Sequence, residues 1–99
     1  MRPIHLVRLD KTRPAVILTR ELARPYLASV TVAPITTRIR GLSTEVRVGV
    51  ANGLDQESAV SCDNIQTVPA GDVGKLLGYL LPHQEGLLTQ AVLEAFELE

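Results

Sequence analysis

Apolar and polar positions divide the chain into short strands followed by a longer helical stretch. Ile4, Leu6, Val7 and Leu9 mark a first strand over Met1 to Asp10. Asp10-Lys11-Thr12-Arg13 is a short polar connection with turn character. The run from Ala15 to Thr19 is apolar without alternation, which predicts a second strand buried on both faces. Pro25 limits Arg20 to Ala28 to a surface turn or one helical turn. Ser29 to Ile35 is rich in β-branched residues and predicts a third strand, with Pro34 marking an edge or a bend near its end. Thr44 to Val50 alternates, with Val46, Val48 and Val50 on one face and Glu45, Arg47 and Gly49 on the other. Asn52-Gly53 is a strong turn signal. Ser58 to Val68 reads as a longer strand with a fault in its phase. Val60 and Cys62 hold even positions and Ile65 an odd one, so a bulge or kink is expected near Asp63-Asn64.

Apolar spacing changes in the last third. Asp72 reads as the cap of a short helix carrying Val73, Leu76 and Leu77 and closed by Gly78. Pro82 suits the first turn of a final helix, in which Leu87, Leu88, Ala91, Val92, Ala95 and Phe96 recur at spacings of three and four. Glu94, Glu97 and Glu99 at its end oppose the helix dipole, so packing must hold it. The order of elements predicts a mainly β, α+β fold. It is a small, strongly bent sheet or partial barrel with a C-terminal α-helix and one short helix. Residues 1–99 are expected to form one domain.

Composition narrows the chemistry. With 45% apolar and 21% charged residues the chain is globular. Tyr26, Tyr79 and Phe96 are its only aromatics, so Val, Ile, Leu and Ala must build the core, and the scarcity argues against an aromatic base-stacking platform of the usual kind. The single cysteine, Cys62, excludes an internal disulfide and a cysteine metal cluster, and favours a reducing cytoplasm. No apolar run approaches membrane-spanning length. His5 and His83 stand far apart without metal-ligand spacing, and no Gly-rich phosphate loop occurs, so neither a metal nor a nucleotide cofactor is expected.

Charge changes the picture most. Through Val48 nine basic residues, eight of them arginine, face three acids; beyond it Lys75 stands alone against eight acids. Such asymmetry points to a polyanion partner, unless the two halves interleave in space and the charges mix. Among the arginines, Arg13 precedes a proline and a buried strand, which gives it a stiff backbone at the rim of the core. On that stretch alone a solvated turn arginine is the commoner role. Asp63, at the phase fault, is the acid singled out, although an Asx-turn residue bonded to local backbone is the commoner role for such an aspartate. The polar residues at strand ends are Arg13, Thr36, Thr37, Arg38, Ser58, Ser61 and Asp63. This set suits an RNA phosphodiester, whose 2′-hydroxyl is its own nucleophile. An enzyme acting on it has to orient that oxygen and stabilise charge on the phosphate.

Four segments carry a family resemblance. Arg13-Pro14-Ala15-Val16-Ile17-Leu18 resembles the Arg-Pro-x-Leu-Val-Leu strand of the MazF/PemK/Kid toxins. Val32-Ala33-Pro34-Ile35-Thr36-Thr37 resembles their Val-x-Pro-[IV]-Thr-[ST] strand end. Ser61 to Val68 resembles their x-Cys-Asp-Gln-x-Arg-Thr-[IL] strand, and Leu77-Gly78-Tyr79-Leu80 their C-terminal Leu-Gly-x-Leu. The resemblance implies an SH3-like β-barrel with a C-terminal helix, acting as a homodimer. It implies a metal-independent, sequence-specific endoribonuclease that cuts single-stranded RNA, leaves a 2′,3′-cyclic phosphate (or 3′-phosphate) and a 5′-hydroxyl, and is neutralised by a cognate antitoxin. Arg13 and Thr36 match the family's catalytic arginine and threonine, and Asp63 a carboxylate given acid/base work in some members. Thr37, Arg38, Ser58, Ser61, Asn64 and Gln66 are then the expected RNA contacts. The loop before Arg13 is cut to Asp10-Lys11-Thr12; Ser61 stands where Kid-type members carry an arginine, and Gln66 where they carry the arginine before threonine. The same fold serves the CcdB toxins, which bind gyrase and cut no RNA. A CcdB-like tail ends in a tryptophan-containing segment, whereas this one ends Glu97-Leu98-Glu99.

Overall fold

In the computed structural model, which describes residues 1–98, seven strands and one helix follow the order β1 (Pro3–Arg8), β2 (Thr12–Ile17), β3 (Ser29–Thr36), β4 (Glu45–Val48), β5 (Ser58–Ser61), β6 (Gln66–Pro69), β7 (Val73–Tyr79) and α1 (Pro82–Ala95). The strands form one curled antiparallel sheet, a half-barrel, in the order β4-β5-β3-β2-β1-β7, with β6 also paired to β3. Among the described residues no helix is long and apolar enough to cross a membrane.

The curl originates in β3. Its first half, Ser29 to Val32, pairs with β6; its end, Ile35 and Thr36, pairs with β5 on the same side. Pro34 lies between the two ladders, where the missing N–H costs no hydrogen bond. The phase fault in the expected long strand is therefore a full 3₁₀ turn, Cys62–Asn64, between two strands that share one neighbour. The bend expected at Pro34 and the kink expected at Asp63-Asn64 are two sides of this seam.

Apolar side chains bury on both faces of the sheet. Val16 of β2, Ala33 and Ile35 of β3, Val46 and Val48 of β4 and Val60 of β5 form the larger cluster, covered by Leu88 and Ala91 of α1. Ala15 and Ile17 of β2 point the other way, and with Val7, Val30, Val32 and Val68 form a smaller one. Ala15, Val16 and Ile17 are fully buried, as the unbroken apolar run predicts.

Three local expectations need correction. The short helix expected after Asp72 is absent: Ala70–Asp72 is a 3₁₀ turn and Val73–Tyr79 is a strand paired with β1. The β1–β7 register shifts twice, between Ile4 and His5 and between His5 and Val7. These irregularities spread the apolar residues of β7 to helix-like spacings. Gly78 also meets the Asn52 carbonyl so closely that a Cβ would overlap it, an approach that favours glycine. Second, β2 begins at Thr12 rather than Ala15, so Arg13 is carried by a strand and paired opposite Val7. Third, Leu87 and Phe96 are about half exposed. The buried stripe of α1 is Gln84, Leu88 and Ala91, flanked by the partly buried Val92 and Ala95.

A polar hub beneath this stripe ties the helix to the sheet. Asn52 and Gln84, both buried, exchange side-chain hydrogen bonds of 2.6 and 3.2 Å. Asn52 Nδ2 also donates to the Tyr79 carbonyl (2.9 Å), and its Oδ1 accepts from Gly49 N–H (3.0 Å). Gln84 Nε2 donates to the Arg47 carbonyl (3.1 Å), and its Oε1 accepts from Leu81 N–H (2.8 Å). Gln84 thereby caps α1 from inside the helix, where no Ser, Thr or Asp stands at the cap position.

Candidate active site in a cleft across four strands

The smaller apolar face becomes polar at one end. Side chains alternate along a strand, so Arg13 shares its face with Ala15 and Ile17, and Thr36 shares its face with Val32 and Pro34. Continued by two residues, the register that pairs Ala15 with Pro34 sets Arg13 opposite Thr36. The β3–β5 register, continued from Ile35 and Val60, sets Pro34 opposite Ser61, and Ser61 pairs with Glu45 of β4. The patch thus formed crosses β2, β3, β5 and β4 in two adjacent rows, Arg13–Thr36 and Pro34–Ser61–Glu45. Over it opens a cleft of about 470 Å³, edged by the β1–β2 turn, the β3–β4 loop and the Cys62–Asn64 turn.

Seven of the nine residues expected at the site line this cleft: Arg13, Thr36, Arg38, Ser61, Asp63, Asn64 and Gln66. Two do not. Ser58 is buried, with its hydroxyl donating to the Gln56 carbonyl (3.0 Å). Thr37 is exposed and is not part of the cleft lining. His5 also lies elsewhere, with Nδ1 bonded to the Gly74 carbonyl (2.8 Å). No motif singles out Asp10, Arg40 or Glu45, which all line the cleft. For Asp10 a usable signal existed: its spacing of three from Arg13 across a short turn.

The charged groups in the cleft are held in distinct ways. Arg13 Nη2 donates to Asp10 Oδ2 at 2.9 Å, while Arg13 Nε is buried with no partner. The Lys11 backbone amide, and with it the Arg13 guanidinium, holds the Asp10 carboxyl below its usual 3.8, against an opposing effect of desolvation. Asp10 is therefore ionised at neutral pH, and its pairing with Arg13 is lost only as pH falls through that lowered value. Thr36 Oγ1 accepts the Arg38 N–H (3.0 Å), which leaves the hydroxyl proton free to donate. Asp63 Oδ2 accepts the Thr44 hydroxyl (2.6 Å), and Asn64 Nδ2 donates to Ser61 Oγ (2.7 Å). Arg38 and Arg40 have no acidic partner among the described residues; the only ion pairs there are Met1–Glu85, Arg13–Asp10 and Arg47–Glu57. Also among the described residues, no three His, Cys, Asp or Glu side chains gather as a metal site would require.

Comparison with known proteins places this geometry. A family model described as PemK-like, MazF-like toxin of type II toxin–antitoxin systems matches residues 6–96. The chain belongs to that toxin family. It is 60% identical over all 99 residues to endoribonuclease MazF3 of Mycobacterium tuberculosis, covering 96% of that protein. The solved Mycobacterium tuberculosis toxin MazF-mt6 superposes with a TM-score of 0.97 at 59% identity, over 99% of each chain. A second solved structure, described as an Mtb toxin, gives 0.87 at 57% identity, over 96% of this chain and all of that one. The toxin family implied by the four sequence segments is thus the one found, and the CcdB-like alternative is set aside by these matches.

Cys62, which adjoins the cleft in sequence, takes no part in it. Burial, and then the negative charge of Asp63, pushes its thiol up to about 11. The folded toxin is expected to resist iodoacetamide near neutral pH and to be alkylated once unfolded. Mass spectrometry before and after denaturation checks this; rapid labelling of the native protein would contradict it.

Proposed function

We propose that this toxin is a sequence-specific endoribonuclease that cuts single-stranded RNA through the RNA's own 2′-hydroxyl. The observation that carries this is the convergence of Arg13, Thr36 and Asp63, from three separate elements, on one cleft in a chain of this family. The 2′-oxygen attacks the adjacent phosphorus, and the bond to the 5′-oxygen breaks. The 2′-proton leaves to a base and the 5′-oxygen takes up a proton. The products are a 2′,3′-cyclic phosphate and a 5′-hydroxyl.

Each group has a part in that step. Arg13, with Nη2 held by Asp10, offers its remaining terminal N–H donors to the phosphate oxygens as charge grows on them. The Thr36 hydroxyl, with its oxygen already accepting a backbone N–H, donates its proton to a phosphate oxygen or to the 2′-oxygen. Asp63 is a candidate base, and Asp10 orients the guanidinium. Arg38, Ser61, Asn64 and Gln66 line the path of the flanking nucleotides. As a toxin of a two-component system, the protein works in the cytoplasm as a homodimer and is silenced by a cognate antitoxin.

The test is incubation of purified protein with a varied set of single-stranded RNAs in excess EDTA. Cleavage is expected, with 5′ ends that accept phosphate from a polynucleotide kinase without prior dephosphorylation. Failure to cut any of them, or cleavage only with added metal, would refute the proposal.

A further inference from the structure

A carboxylate in a cleft that receives a polyanion needs a reason to be there. Asp10 has one in Arg13. Glu45 lines the same cleft, yet it touches no cation's side chain among the described residues. Its Oε1 instead accepts three backbone N–H groups, from Arg40 (3.2 Å), Gly41 (2.8 Å) and Leu42 (3.2 Å), and its Oε2 lies 3.4 Å from the Arg40 N–H. The turn closes on itself where Glu45 N–H donates to the Leu42 carbonyl (3.1 Å). Gly41 takes φ +74°, the left-handed conformation that lets these consecutive amides face one point. Three amide dipoles spread the negative charge of Glu45, which lessens its repulsion of an incoming phosphate.

Little else fastens this turn. Arg40, Gly41 and Leu42 are all exposed and contribute nothing to either apolar cluster. Yet Arg38 and Arg40 of the same loop line the cleft and carry no acidic partner among the described residues. We propose that Glu45 is a positioning residue of the ribonuclease site, whose carboxylate ties down the Arg40–Leu42 turn so that Arg38 and Arg40 meet the RNA backbone. The inference rests on the ribonuclease function proposed above. It separates two roles in one cleft: Arg13 acts on the scissile phosphate, and the Glu45-held turn grips flanking phosphates.

The experiment combines kinetics with amide exchange. For an RNA that wild type cuts, Glu45→Ala is expected to raise KM about tenfold with kcat changed little, and to flatten the salt dependence of binding by about one to two phosphate contacts. Glu45→Gln, which keeps an acceptor oxygen, should recover much of the loss. In an Arg38→Ala, Arg40→Ala background, Glu45→Ala should add nothing. Without RNA, the Gly41 and Leu42 amides of Glu45→Ala should exchange about tenfold faster or more, at unchanged melting temperature. Unchanged KM, a full additional loss in the double-arginine background, or unchanged exchange would overturn the proposal. Absence of cleavage by wild type would instead sink the ribonuclease function, and the exchange rates would still decide whether Glu45 anchors the turn.

Discussion

Arg13→Ala is expected to reduce RNA cleavage about 10²- to 10³-fold in kcat, the usual cost of removing one donor aimed at developing charge. Two features make the effect large. Arg13 is fixed on β2 by pairing with Val7 and by Pro14 behind it, so its guanidinium is aimed before RNA arrives. Its pairing with Asp10 then settles which edge remains for the phosphate. Because the side chain sits at the rim, with about a quarter of its surface exposed, the fold should survive its loss. Arg13→Lys should remain far below wild type, since an ammonium keeps the charge but not the planar fork. Single-turnover cleavage, read beside thermal unfolding, tests both points. Near-normal kcat in Arg13→Ala would remove Arg13 from the chemistry, and loss of folding would remove the claim that it sits at the rim.

The second large effect concerns stability and lies outside the cleft. Gln84→Ala is expected to cost about 3 kcal/mol, because it strands the Leu81 N–H and the Arg47 carbonyl as well as opening a cavity. In a chain of this size that corresponds to a fall of roughly 12 to 24 °C in melting temperature. The half of Asn52 that faces Gln84 also loses its partner, while its bonds to Gly49 and Tyr79 remain. Urea unfolding measures the loss directly. A change under 1 kcal/mol would show that water takes over these groups and that the hub contributes little.

How much of this could be seen in the chain depended on the range of the interaction. Apolar runs report burial locally, so β2, β3 and the alternation of β4 were legible. The single odd residue in phase, Ile65, located the seam between β5 and β6. β7 was misread because its irregular pairing with β1, which lies about seventy residues away, disguises a strand as a helix. The Asn52–Gln84 hub is invisible for the same reason: each amide has one local partner, Gly49 or Leu81, but the bonds between the two amides span 32 residues. In the cleft, Arg13, Thr36 and Asp63 stood out through their family motifs. Asp10 and Glu45 act on backbone amides or on a neighbour across a turn, and no motif marks that. Ser58 looked like a strand-end hydroxyl, but its place in the β5 ladder opposite Val48 turns it into the interior.

The seam in β3 bears on how such a toxin can diversify. The registers of β5 and β6 are each fixed by their own pairing with β3, and the turn between them is held on the core side by buried Cys62. Asn64 and Gln66 are exposed, and neither belongs to an apolar cluster. Their identities are therefore nearly free of folding constraint, although they stand in the same cleft as the strongly constrained Arg13. On the proposed ribonuclease reading, mutation at these two positions costs the scaffold little, so one cutting machine can acquire new targets without being rebuilt.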